Sequence, residues 1–202
     1  MKPMLAAFTA FAIVATPAWA APVVGQAAPN FKLYDSNGKV VTLSDFRGRT
    51  VVLEWHNPGC PFVKKHYGSG NMQRTQAAAA KAGVVWLTIN SGAPGKQGHM
   101  SGADAKAFVT TAGARPAAYL LDPRGVVGKA YDAKTTPHMY VVNKAGTLVY
   151  AGGIDDKPTA NPADITGARN HVLAALTEIG AGKAVSVATS RPYGCSVKYA
   201  DS

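Results

Sequence analysis

The chain has 202 residues, 21 Lys and Arg against 11 Asp and Glu, a formal charge of +10, and 47% hydrophobic residues. This composition excludes a disordered chain, which needs low hydrophobicity together with high charge. Two cysteines are too few for a disulfide-framework miniprotein or a four-thiolate zinc site, and the scattered basic residues read as a solvated surface, with no nucleic-acid partner implied.

Residues 1–20 open with Met1-Lys2, continue through an apolar run from Leu5, and end in Ala18-Trp19-Ala20. A short positive start, an apolar centre and a small-x-small ending predict a signal peptide cut after Ala20. The mature domain is then 21–202, periplasmic or secreted. No later apolar run is long enough to span a bilayer, so no stable membrane insertion is expected after cleavage. Such a compartment permits a disulfide, and Cys60 and Cys195 are the one available pair.

Residues 30–34 and 39–43 alternate around Asp35-Ser36-Asn37-Gly38, which predicts an N-terminal β-hairpin. Residues 50–55 form a continuous apolar strand broken only by Glu54. A helix is expected over 61–82, interrupted at Gly68-Ser69-Gly70 and ended by Gly83. There follow a strand at 84–90, a polar loop at 91–102, a helix at 103–111, a strand at 118–121 and a short helix at 126–131. A hairpin of 137–143 with 148–151 precedes a loop at 155–162 and a long helix from residue 162 or 163 to 179, and the tail from 190 has little periodicity. The alternation predicts an α/β fold, a mixed central sheet flanked by helices.

Chemistry concentrates where the strand at 50–55 meets the helix, in Glu54-Trp55-His56-Asn57-Pro58-Gly59-Cys60-Pro61-Phe62-Val63. Proline is tolerated best in the first helical turn, so Pro61 places Cys60 at a helix N-terminus. Unpaired amides and the helix dipole there favour an anion, which should lower the Cys60 pKa and make it nucleophilic. Pro61 and Trp55 are candidate substrate-lining residues.

These residues resemble the thioredoxin-like superfamily, in its redoxin branch of thiol-disulfide oxidoreductases and peroxiredoxin-like proteins. The likeness also rests on Gly70-Asn71-Met72-Gln73, Leu121-Asp122-Pro123-Arg124-Gly125, Thr136-Pro137-His138 and the tail Gly194-Cys195-Ser196-Val197-Lys198. It implies a disulfide or peroxide substrate, protein or small molecule, a thiol reductant and no cofactor. It also implies a cis peptide at Thr136-Pro137 facing the cysteine, leaving the Thr136 backbone open to an extended substrate, and a proton-relaying carboxylate at Glu54. Two departures matter. Val63 and Asn57 stand where a second local cysteine would be, and Leu53 and Asn57 replace the proline and hydroxyl residue of the peroxiredoxin signature. The remaining resolving thiol is Cys195, expected to bridge to Cys60 on oxidation. Two alternatives are a copper chaperone built from His56, Cys60 and His138, and a non-catalytic module held by a structural Cys60–Cys195 disulfide.

Overall fold

The computed structural model describes residues 21–201, so the signal-peptide expectation lies outside the described residues. Strands β1 (Lys32–Asp35) and β2 (Val40–Thr42) form the expected hairpin, followed by β3 (Val51–Trp55), β4 (Val85–Asn90), β5 (Ala118–Leu121), β6 (Thr135–Thr136), β7 (His138–Val142), β8 (Leu148–Gly152) and β9 (Cys195–Ser196). Seven of them build one sheet in the order β2-β1-β5-β4-β3-β7-β8. The β3–β4 and β4–β5 pairs are parallel, and the flanking pairs are antiparallel. Every residue of β3, β4 and β7 is buried, as central strands covered on both faces require.

Side-chain alternation divides the core in two. Val51, Leu53 and Trp55 point to one face with Val85, Leu87, Tyr140 and Tyr131, the last just beyond the short helix α4 (Val126–Ala130). Val52, Met139 and Val141 point to the other. There they meet Val63 of α1 (Pro61–Gly68), Met72 of α2 (Asn71–Lys81) and Val172 of α5 (His171–Gly180). Helix α3 (Gly102–Thr111) covers Tyr119 on that second face through Ala105. Gly70 adopts φ +73° between α1 and α2, a left-handed conformation that ends one helix and starts the next, as the sequence predicts.

The expected long helix ending at 179 is corrected. A 3-10 turn at Pro162–Ile165 stops, and α5 begins only at His171. The amides between them are claimed from outside: Arg169 N donates to Asp156 Oδ1 (2.9 Å), and His171 N to Ile154 O (2.9 Å). Asn170 then caps α5, its Oδ1 accepting from Leu173 N at 2.9 Å. The aperiodic tail also holds more order than its pattern suggests. Its β9 pairs antiparallel with β6, setting Cys195 opposite Thr136 and Ser196 opposite Thr135.

Candidate active site

Cys60 is the N-cap of α1, with Pro61 at the first helical position. It is only 1% exposed, against the cluster of Val63, Tyr67 and Met72. Its Sγ donates to Thr136 O at 3.0 Å, across from the Thr136–Pro137 peptide, which is cis. Burial alone would raise the Cys60 pKa. The Cys195 thiol, the Val63 amide in the first turn and the Thr136 side chain outweigh it, so the thiol is held below its ordinary value. Cys195 behaves oppositely: burial and the neighbouring Cys60 push it up to about 11, with Lys198 opposing. The two sulfurs are thus unequal partners, one disposed to be a thiolate and the other to remain a thiol. Both are reduced here, with Cys195 partly exposed.

The tail is fixed at several points. Tyr193, two residues before Cys195, donates to Asp155 Oδ1 and lies 3.2 Å from His66 Nε2. Asp155 Oδ2 is 3.9 Å from the buried Lys65 Nζ, which donates to Lys157 O at 2.9 Å. Lys65 and His66 belong to α1, so one network joins the helix headed by Cys60 to the segment carrying Cys195. Gly194 is the close approach. At φ +133° it lies so near β6 that a Cβ there would fall 2.0 Å from Thr136 O, which only glycine avoids.

Glu54 is fully buried on the α1–α2 side of the sheet. Its carboxylate accepts from Tyr67 Oη (2.8 Å), Trp86 Nε1 (2.8 Å), Thr88 Oγ1 (3.0 Å) and Gln76 Nε2 (3.4 Å). Desolvation raises its pKa, and these four donors limit the rise. No hydrogen bond joins Glu54 to Cys60 among the described residues. Its donor Tyr67 belongs to α1, about two helical turns, ~10 Å of rise, along that helix from the cysteine.

Two sequence expectations are corrected by which way strands face. Trp55 is fully buried on the Tyr131–Tyr140 side, its Nε1 donating to Ser91 Oγ at 3.0 Å, and it presents no surface to a substrate. The copper set also comes apart. His56 projects to one face, between Tyr67, Phe108 and Tyr119, with Nδ1 2.7 Å from Tyr119 Oη. His138 projects to the other, stacked on Tyr140. Among the described residues no group of three or more His, Cys, Asp and Glu is placed to hold a metal ion. Pro61 starts α1 beside the sulfur. The Thr136 edge is paired with the chain's own β9 and is not open to another strand.

Sequence reasoning missed the clamp around the helix start. Asn57 Oδ1 accepts from Gly59 N (2.8 Å), and its Nδ2 donates to Gln97 Oε1 (3.0 Å), so the 91–102 loop braces the turn before Cys60. Asn-Pro-Gly signals the turn, but nothing local signals Gln97. The Lys65–Asp155–Tyr193 network likewise joins three distant segments with no shared pattern.

The geometry meets known proteins at this point. Residues 24–151 match the AhpC/TSA family. Thiol-disulfide oxidoreductase ResA of Bacillus subtilis (strain 168) is 30% identical over 132 residues, 62% of this chain and 64% of that protein. Chloroplastic peroxiredoxin Q of Populus jackii is 31% identical over 137 residues, 58% of this chain and 63% of that protein. The chain therefore spans a little under two thirds of the length of these curated relatives. Two solved structures align across nearly the whole chain. A hypothetical protein of Sinorhizobium meliloti 1021 has TM-score 0.73 and 25% identity, covering 91% of this chain and 98% of that one. An uncharacterized conserved protein of Geobacillus kaustophilus has TM-score 0.72 and 28% identity, covering 89% and 94%. With a thioredoxin-like sheet and helices around a cysteine-headed helix, the chain belongs to the AhpC/TSA family.

Proposed function

We propose that this protein is an exported thiol oxidoreductase in which Cys60 is the nucleophile and Cys195 the resolving thiol. One observation carries the reading: the tail strand β9 sets Cys195 opposite Thr136, whose carbonyl accepts from Cys60, so two thiols remote in sequence become neighbours. Export is the reading of residues 1–20, and it suits a working disulfide.

The chemistry follows from the inequality of the sulfurs. Cys60 thiolate attacks one sulfur of a disulfide; a mixed disulfide forms and the other sulfur leaves as thiolate. Cys195, deprotonated, then attacks Cys60 Sγ, closing the internal disulfide and releasing the second thiolate. With a hydroperoxide, Cys60 attacks the terminal oxygen and the O–O bond breaks. The alkoxide leaves with a proton as the alcohol, and Cys60 becomes a sulfenic acid. Cys195 then condenses with it and water departs. In both cases two thiols are oxidised to one disulfide, and two equivalents of an external thiol restore them.

The test is peptide mapping after oxidation of the reduced, mature protein with one equivalent of hydrogen peroxide or of a small disulfide. The expected product is one Cys60–Cys195 cross-linked peptide, with the intact mass lower by two hydrogens. Stable sulfinic acid on Cys60, or lasting adducts on both cysteines, would refute the pairing.

A further inference from the structure

We propose that the C-terminal strand β9 is a specificity-determining element: it holds the β6 edge beside Cys60, excludes extended polypeptides from that thiol, and restricts it to small hydroperoxides or low-molecular-weight disulfides. This rests on the reading of Cys60 and Cys195 as a redox pair and names the substrate class of that site.

An extended peptide docks on an open strand edge through main-chain hydrogen bonds. The edge facing Cys60 is Thr135–Thr136, and it is already filled by Cys195–Ser196 of the same chain. The Thr136 carbonyl is taken by the Cys60 thiol, and Thr136 Oγ1 donates to Cys195 O at 3.4 Å.

The tail is tied down on both sides of the pairing. Before it, Tyr193 Oη is held by Asp155 and faces His66. After it, Val197 N donates to Lys134 O (3.0 Å), Ala93 N to Lys198 O (2.8 Å) and Tyr199 Oη to Ala133 O (2.7 Å). Lys96 Nζ meets Asp201 Oδ2 at 2.7 Å. The Tyr199 side chain lies over Gly125 and Gly128, where a Cβ would come within 2.5 Å of its ring and 2.4 Å of its hydroxyl. A polypeptide must break this set of bonds before it can pair. A small O–O or S–S compound needs no main-chain pairing, only a path to a cysteine that is 1% exposed. The step is the one written above: the compound's O–O or S–S bond breaks, Cys60 is oxidised, and Cys195 completes the disulfide while alcohol and water, or two thiols, leave.

The experiment compares oxidation of the reduced protein by 2-hydroxyethyl disulfide and by a disulfide-linked pair of short unstructured peptides, following loss of the free Cys60 thiol and, in the wild type, formation of the Cys60–Cys195 bridge. Two variants lift the tail while keeping both thiols. Gly194→Val collides with Thr136 O, and Tyr199→Ala removes the distal anchor. Amide exchange at Val197 reports the lifting, so Tyr199→Ala serves if Gly194→Val fails to fold. The wild type is expected to react at least about tenfold faster with the small disulfide; each lifted variant also moves Cys195 away from Cys60 and slows toward both reagents for that reason, while its peptide-to-small rate ratio rises roughly tenfold. Equal wild-type rates toward the two reagents, or a lifted tail with an unchanged ratio, would overturn the inference. If neither reagent yields the Cys60–Cys195 bridge, the proposed function itself fails, and the inference with it.

Discussion

Replacing Cys195 by alanine removes the strongest of the interactions that favour the Cys60 thiolate. A hydrogen bond to a charged group contributes about 1.5–3 kcal/mol when buried. Cys195 is partly exposed, so solvent screening places it at the low end, and ~1.4 kcal/mol is a tenfold change in thiolate population. Alkylation of Cys60 by iodoacetamide at neutral pH should therefore slow roughly tenfold in Cys195→Ala. Cys195→Ser keeps a hydroxyl donor at the same point and should lose about threefold or less. Neither variant can form the internal disulfide, so the comparison isolates electrostatics from redox chemistry. The assay is the pseudo-first-order rate at the Cys60 peptide from neutral to alkaline pH. The variants should converge at alkaline pH, where every thiol is ionised. Equal neutral-pH rates in the two variants, with tail amides as protected as in the wild type, would refute the reasoning.

Glu54→Leu leaves the donors of Tyr67, Trp86, Thr88 and Gln76 without their shared acceptor, and should cost at least ~3 kcal/mol in urea unfolding, with Glu54→Gln costing less. Asp155→Ala strands the buried Lys65 ammonium near one remaining carbonyl and releases Tyr193; a loss of about 3 kcal/mol and faster exchange of tail amides are expected. Burial lowers the pKa of His56 to about 3, of His66 to about 4 and of His138 to about 4, all from 6.5. The unfolded chain takes up these protons below pH 6.5 and the folded chain does not, so stability is fully present above that pH and falls as pH drops toward 4. Each histidine contributes up to ~1.4 kcal/mol per pH unit. Glu54 and Asp122, raised by burial, protonate first in the folded state and offset part of the loss. Urea midpoints that do not change between pH 7 and pH 5 would contradict this account.

What the sequence revealed was what is written locally. The apolar run into Cys60, the helix-starting Pro61 and the helix-splitting Gly70 act within a few residues, and the structure places each of them as the pattern predicts. The facing of Trp55 was not legible, because β3 is apolar on both sides and its alternation marks neither as the site. The opposed directions of His56 and His138 emerge only once β3 and β7 are paired with Trp55 against His138. Strand β9 has two residues, too few to show a period, and its pairing with β6 is a tertiary contact. The helix expected from residue 162 or 163 to 179 forms only from His171, for the same kind of reason: Asp156 and Ile154 claim amides that helical continuation would need.

The central claim is that Cys60 and Cys195 act as one redox unit, and a thiol titration in glutathione buffers tests it most directly. The account predicts that both thiols disappear together in a single two-electron transition with a slope of about 30 mV per decade and a midpoint above about −300 mV, with no glutathione mass retained. Separate titration of the two thiols, persistent glutathione on Cys60, or a bridge that the most reducing buffer cannot open would contradict it.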